Sequence, residues 1–182
     1  MQTEIVISGF GGQGALFAGQ LLAYAGMDAG FHVTWIPSYG PEMRGGTAHC
    51  TVIISDDEIG SPLVRNPSAA IAMNMPSLDT YEPLVASGGL LVVNSSLTSR
   101  RPTRTDIRVI EVPANVIAQE LGNVRFANLV LVGAMLAASS ALTVEALEEA
   151  LEAHLPERYR TLMEANRQAL RRGASIAEAA PA

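Results

Sequence analysis

The sequence predicts an α/β fold, a three-layer α/β/α sandwich whose mostly parallel sheet is followed by a helical C-terminal part. Three observations predict it. Short β-branched runs alternate with helix-like segments over the first two thirds of the chain, those runs are near-continuously apolar, and the final third turns helical. At 182 residues and 48% hydrophobic content, the chain is long enough to bury one core without disulfides or metals. A single domain is expected over residues 1–173, with the small-residue segment 174–182 as a flexible tail.

Each element has its own signal. Residues 4–8 read as a first strand and 15–29 as a helix that is apolar nearly all round, with Gln20, Tyr24 and Asp28 as one narrow polar stripe. Its Gly19 and Gly26 give up helix propensity in return for close packing. Residues 31–36 form a second strand, and 47–55 a third that closes on the acidic turn Asp56-Asp57-Glu58. A small-residue strand over 67–73 and a short helix over 77–86 follow. Strands over 89–94 and 107–112 come next, separated by a loop rich in Ser, Arg and Thr. Helices are then expected over 116–121, 126–138, 144–154 and 157–172, with Thr143 capping one start and Gly173 the last end.

Composition excludes several function classes. The net charge of −6 argues against nucleic-acid binding, which needs a concentrated positive footprint; Arg100, Arg101 and Arg104 read as a solvated basic loop. All 12 basic residues are arginines, so a P-loop lysine, a Schiff base and a lysine general base are absent. Cys50 is the sole cysteine and reads as a buried, inert strand thiol, so no cluster is held by this chain, since an iron–sulfur cluster takes about four thiolates. His32, His49 and His154 lack metal-ligand spacing, and Glu145, Glu148, Glu149 and Glu152 read as a solvated helix face. The longest apolar run, residues 129–138, falls well short of the roughly 20 residues a membrane span needs, and Met1-Gln-Thr-Glu4 lacks a positive leader; a cytoplasmic protein without membrane contact is expected. Only 16% of residues are charged, against roughly 25% in a typical soluble domain, so part of the exterior is expected to lie against another protein.

Two stretches carry the chemistry. Gly9-Phe-Gly-Gly-Gln-Gly14 follows the first strand and opens the first helix, a Rossmann-like turn whose glycines allow close backbone approach and whose helix N–H groups favour an anion. A helix terminus contributes only about 0.3–2 kcal/mol to such a group, whereas micromolar binding needs roughly 8 kcal/mol, so the loop alone makes no cofactor site. An NAD site also needs an acid about 20 residues on, and that position falls within Thr34-Trp35-Ile36-Pro37, which has none. The second stretch is Pro37-Ser-Tyr-Gly-Pro-Glu-Met-Arg-Gly-Gly46, in which Arg44 is the first basic residue of the chain. In a doubly wound sheet the first two strands end side by side, which would bring both stretches into one crevice.

Together, GFGGQG and PSYGPEMRGGTAHC resemble the gamma subunit of the 2-oxoacid:ferredoxin oxidoreductases, equivalent to one domain of single-chain pyruvate:ferredoxin oxidoreductase. The likeness continues through 57–64, Asn74 with Pro76-Ser77-Leu78, Pro113, Gly122-Asn123, Asn128, Gly133, Asn166 and Gly173. His49 departs from it, standing where relatives more often carry Asn or Ser. The resemblance implies a subunit without a complete active site and without a catalytic or metal-ligating residue of its own. It would work in a complex that decarboxylates pyruvate, 2-oxoglutarate or ketoisovalerate oxidatively to an acyl-CoA and passes electrons to ferredoxin. Thiamine diphosphate, Mg and iron–sulfur clusters would belong to thiamine-binding alpha and beta subunits and a ferredoxin-like subunit, with coenzyme A as a co-substrate bordering this chain. Gly9, Gly11, Gly12, Gln13 and Gly14 carry over as the first cofactor-binding motif; Ser38, Tyr39, Gly40, Glu42, Arg44, Gly45 and Gly46 carry over as the second. Tyr39 and Met43 would anchor the interface. Two other readings stand beside this one: a stand-alone NAD(P) oxidoreductase, and a non-catalytic interaction module.

Overall fold

The computed structural model describes residues 1–40 and 46–180. Its strands are β1 (Gln2–Phe10), β2 (His32–Tyr39), β3 (Thr47–Ser55), β4 (Ala69–Ala72), β5 (Leu90–Asn94) and β6 (Arg108–Val112). They form one sheet in the order β2-β3-β1-β4-β5-β6. β4, β5 and β6 step outward from β1 in parallel, while β3 runs antiparallel to both β1 and β2. Among the described residues, three of the five pairings are parallel, in line with the mostly parallel sheet expected from sequence.

The expectation that the first two strands end side by side is corrected, because β3 lies between them. Only residues 40–46 separate β2 from β3, whereas a parallel neighbour requires a crossover of about a dozen residues or more. A link that short permits a hairpin, and the hairpin inserts β3 beside β1. Register then explains a proline in a strand. Gly40 donates its N–H to the Thr47 carbonyl at 2.7 Å, so even-numbered positions of β2 bond to β3 and odd-numbered ones point off the sheet. Pro37 is odd-numbered; its missing N–H removes no ladder bond and blunts the free edge.

Helices α1 (Ala15–Asp28), α3 (Ala114–Glu120), α4 (Ala127–Ala138), α5 (Val144–His154) and α6 (Met163–Ala179) share one large core with one face of the sheet. Ile5, Ile7, Val52, Ile54, Ile71 and Val92 supply the strand side of that core, and Leu22, Leu129 and Leu170 the helix side. Each such fully buried side chain contributes roughly 1.5–3 kcal/mol. On the opposite face α2 (Met75–Tyr81) covers a smaller cluster that includes Ala70, Ala72, Leu78, Leu91 and Val93. β4 and β5 are buried throughout, which is why their sequence shows no polar alternation. Among the described residues, no helix is long and apolar enough to cross a membrane.

Four local expectations are corrected. Gly173 does not end a helix: α6 runs on to Ala179, with Ala174 and Ala177 buried, so the segment read as a tail is helical that far. The role of Gly173 is contact. A Cβ there would strike the Val130 carbonyl, and one on Gly133 would strike the Leu170 carbonyl, so these two glycines let α4 and α6 touch backbone to backbone. Glu148 is not solvated; it is buried and accepts two hydrogen bonds from Arg171, at 2.7 and 2.8 Å. Nor is the basic loop a free one. Arg100 bonds the buried Glu82 at 2.6 Å and Asp79 at 2.8 Å. Arg104 pairs with Asp106 and donates to the carbonyls of Glu82 and Val85.

Candidate functional site

Both glycine stretches reach the same margin of the sheet, joined through the start of β3. Phe10 at the end of β1 stands opposite Thr47, and Tyr39 at the end of β2 opposite Ala48. One hydrogen bond beyond each ladder completes the join: Gly11 N–H donates to the Gly46 carbonyl at 2.9 Å, and Gly40 N–H to that of Thr47. Gly9, Gly11, Gly12, Gln13, Gly14, Ser38, Tyr39, Gly40 and Gly46 are thereby brought together. Glu42, Arg44 and Gly45, with Met43, lie outside the described residues.

Local geometry accounts for the glycines. Gly12 and Gly14 have φ of 95° and 80°, in the left-handed region that β-carbons disfavour. Gly14 is the N-cap of α1, and its carbonyl accepts from Ala18 N–H at 3.0 Å. A Cβ on Gly14 would sit 2.5 Å from Asn128 Nδ2, and one on Gly9 would sit 2.6 Å from Gln13 Oε1.

Behind the loop lies a chain of side-chain amides. Gln13 folds back so that its Oε1 accepts from Phe10 N–H at 2.6 Å and from Asn74 Nδ2 at 2.9 Å. Asn74 lies two residues beyond β4, caps α2 by accepting from Ser77 N–H at 3.0 Å, and is buried. Asn94 ends β5; its Nδ2 donates to the Met73 carbonyl at 3.2 Å and to Asn115 Oδ1 at 2.8 Å. Asn128 in α4 donates to the Gly14 carbonyl at 3.2 Å, tying the loop to the helical layer. Two crevices flank this assembly. One, of about 190 Å³, lies between Gln13, Asn94, Asn115 and Arg125; the other, of about 280 Å³, runs past Gly14 toward Phe17 and Tyr159. Gly12, Gln13, Arg125 and Asn128 line both.

Arg125, Asn94 and Asn115 are absent from the sequence-derived site. Arg125 sits in the single turn Val124–Phe126 before α4, where Asn123 Oδ1 accepts its main-chain N–H at 3.0 Å. It supplies the margin with a positive charge from the far half of the chain. The available signal was positional: Asn74 and Asn94 each stand at the C-terminal end of an apolar parallel strand, the edge where open α/β sheets bind ligands.

The other sequence candidates add no chemistry to the margin, although His49 stands opposite Ser38. Cys50 is fully buried in β3, and burial pushes its thiol up to about 11, so it stays protonated at neutral pH. His49 is half-buried in the same strand, and burial lowers its pKa. His154 stacks on Tyr24 with ring centroids 4.2 Å apart and meets Asp28 at 2.8 Å, so the polar stripe of α1 faces α5. Among the described residues, no group of three or more His, Cys, Asp or Glu side chains could hold a metal ion. A dinucleotide reading loses further ground, since the strand beside β1 on this flank is the antiparallel β3, which begins rather than ends at the margin. Tyr39 is 74% exposed there, and Phe10, on the far side of β3, is also exposed.

Comparison with known proteins identifies the family and the fold. The chain is 41% identical over 152 residues to ketoisovalerate oxidoreductase subunit VorA of Methanothermobacter thermautotrophicus, covering 83% of this chain but 31% of that protein. It is 36% identical over 163 residues to 2-oxoglutarate synthase subunit KorC of Methanothermobacter marburgensis, covering 86% of this chain and 88% of that one. The chain thus spans about a third of the length of the first relative and most of the second. Among solved structures, the gamma subunit of a keto/oxoacid ferredoxin oxidoreductase from Geobacter sulfurreducens PCA superposes with a TM-score of 0.82 at 33% identity, over 98% of this chain and 99% of that one. The family model for pyruvate ferredoxin/flavodoxin oxidoreductase matches residues 4–176, and the chain belongs to that family.

Proposed function

We propose that this chain is the gamma subunit of a multi-subunit 2-oxoacid:ferredoxin oxidoreductase, acting as one domain-sized unit within that enzyme. The carrying observation is the joined glycine margin, where Gly11 bonds Gly46 and exposed Tyr39 and Phe10 stand beside an open, donor-lined loop. Such a margin suits completion by neighbouring polypeptides. The complex would convert a 2-oxoacid such as ketoisovalerate, 2-oxoglutarate or pyruvate to its acyl-CoA, with ferredoxin as electron acceptor. A chain with one cysteine lacks the thiolates that a cluster takes, so the clusters are assigned to a ferredoxin-like subunit; thiamine diphosphate and Mg are assigned to the alpha and beta subunits on the family resemblance alone. For coenzyme A the residues fit in kind: the backbone N–H groups of Gly12 and Gly14, that of Gln13 being taken by the Phe10 carbonyl at 3.1 Å, and the guanidiniums of Arg125 and Arg44 are phosphate-binding chemistry. Bordering that co-substrate is the contribution assigned to this chain.

The test is purification of the tagged chain from cells that make the whole enzyme, followed by assay of a panel of 2-oxoacids with an artificial electron acceptor. Recovery with thiamine- and cluster-bearing chains, and coenzyme A-dependent turnover of one acid, is the expected result. Recovery alone, with micromolar NADPH affinity, would favour the stand-alone oxidoreductase. Arg44→Ala is expected to slow turnover or weaken assembly; wild-type behaviour in both removes the role given to Arg44.

A further inference from the structure

The orientation of an amide side chain is usually ambiguous, but around the 190 Å³ crevice the main chain settles each one in turn. Phe10 N–H can only donate, so the Gln13 atom it meets is the oxygen. Ser77 N–H likewise assigns the Asn74 oxygen, which turns the Asn74 amino group onto that same Gln13 oxygen. Asn94 is fixed from both sides, by the Met73 carbonyl and by Ser96 N–H at 3.3 Å, so its amino group faces Asn115 and the Asn115 atom it meets is again the oxygen. The remaining groups follow without choice. Gln13 and Asn115 each have their oxygen occupied and an amino group with no acceptor among the described residues.

Both residues line the same crevice, as does Arg125, whose guanidinium has no hydrogen bond or ion pair among the described residues. The lining contains no Asp or Glu. A polar wall that offers donors and no charged acceptor is selective for oxygen anions. Size narrows the class, because about 190 Å³ lies below the roughly 300–1,000 Å³ of pockets that enclose drug-sized ligands. We infer that the crevice between Gln13, Asn115 and Arg125 binds a small oxyanion, a carboxylate or phosphate group, with the two amide amino groups and the guanidinium as its donors. The inference rests on reading this margin as the functional one, and does not depend on assembly with other subunits.

The test uses the full chain labelled with ¹⁵N and titrated separately with pyruvate, inorganic phosphate and, at matched ionic strength, chloride. Saturable shifts of the Gln13 and Asn115 side-chain amide signals with pyruvate or phosphate but not with chloride are expected, and the tighter of the two identifies the anion. Asn115→Asp, which sets a carboxylate among the donors, is expected to weaken binding at least tenfold. Arg125→Ala, at an exposed position, is expected to do so several-fold without loss of fold. Absence of saturable shifts at these amides, equal shifts with chloride, or unchanged affinity in Arg125→Ala would overturn the inference. Because no partner is present, each outcome is separate from success or failure of co-purification.

Discussion

Arginine occurs in two settings that the sequence does not distinguish. At Arg100 and Arg104 the fold supplies its own acceptors: Glu82, Asp79, Asp106 and two carbonyls. At Arg125 it supplies none among the described residues, and the neighbouring amides are turned to present donors as well. A cluster of charge in the sequence therefore marked the structural region, while a single arginine far along the chain marks the candidate site. What separates a binding group from a brace is whether acceptors arrive from within the fold.

The largest expected effect comes from breaking the braced region. Glu82 accepts from the main-chain N–H groups of Thr103 and Arg104 and from Arg100, and is buried. Glu82→Ala strands these donors and should cost about 2–4 kcal/mol in denaturant unfolding. Acid probes the same region. Burial alone would raise the Glu82 pKa, but its hydrogen bonds from Thr103, Arg100 and Arg104 outweigh that and lower it, while Arg104 holds Asp106 down to about 2. Both folded values lie below the unfolded ones, so the stability they give is complete above the ordinary carboxylate range and is lost as the pH falls toward about 2. Acid unfolding curves of wild type and Glu82→Gln should converge at the low end; parallel curves would remove Glu82 from the account.

Within the margin, Gly14→Ala combines a left-handed backbone with a clash against Asn128. About 2 kcal/mol is expected, read as a fall of about 4–8 °C in Tm. An unchanged Tm would mean that the turn relaxes freely. The smallest effect sharpens the contrast: Arg125→Ala should change stability by less than about 0.5 kcal/mol while weakening anion binding. A large stability loss there would make Arg125 a brace like Arg104.

Much of the fold was legible because it depends on local pattern. β3 spans Thr47–Ser55 and α5 Val144–His154, as apolar periodicity and the Thr143 cap indicate. Strand order was less legible. Adjacency of β1 and β2 was inferred from the fold class, although the short link over residues 40–46 already demanded a hairpin. Gly173 shows the limit of local signals, since a glycine near a helix end and a glycine at a helix crossing look alike until the partner helix is placed. The site divides in the same way. The two glycine stretches announce themselves by backbone chemistry, but the roles of Asn94, Asn115 and Arg125 exist only once distant segments meet at the margin.

Hydrogen exchange, measured on the isolated chain and on the chain within the proposed complex, tests directly whether the glycine margin is where the proposed partner subunits dock. The account predicts that amides of residues 9–14 and 38–47 gain the strongest protection on assembly. Protection confined to the outer faces of α5 and α6, with the margin exchanging as fast as in the isolated chain, would contradict it.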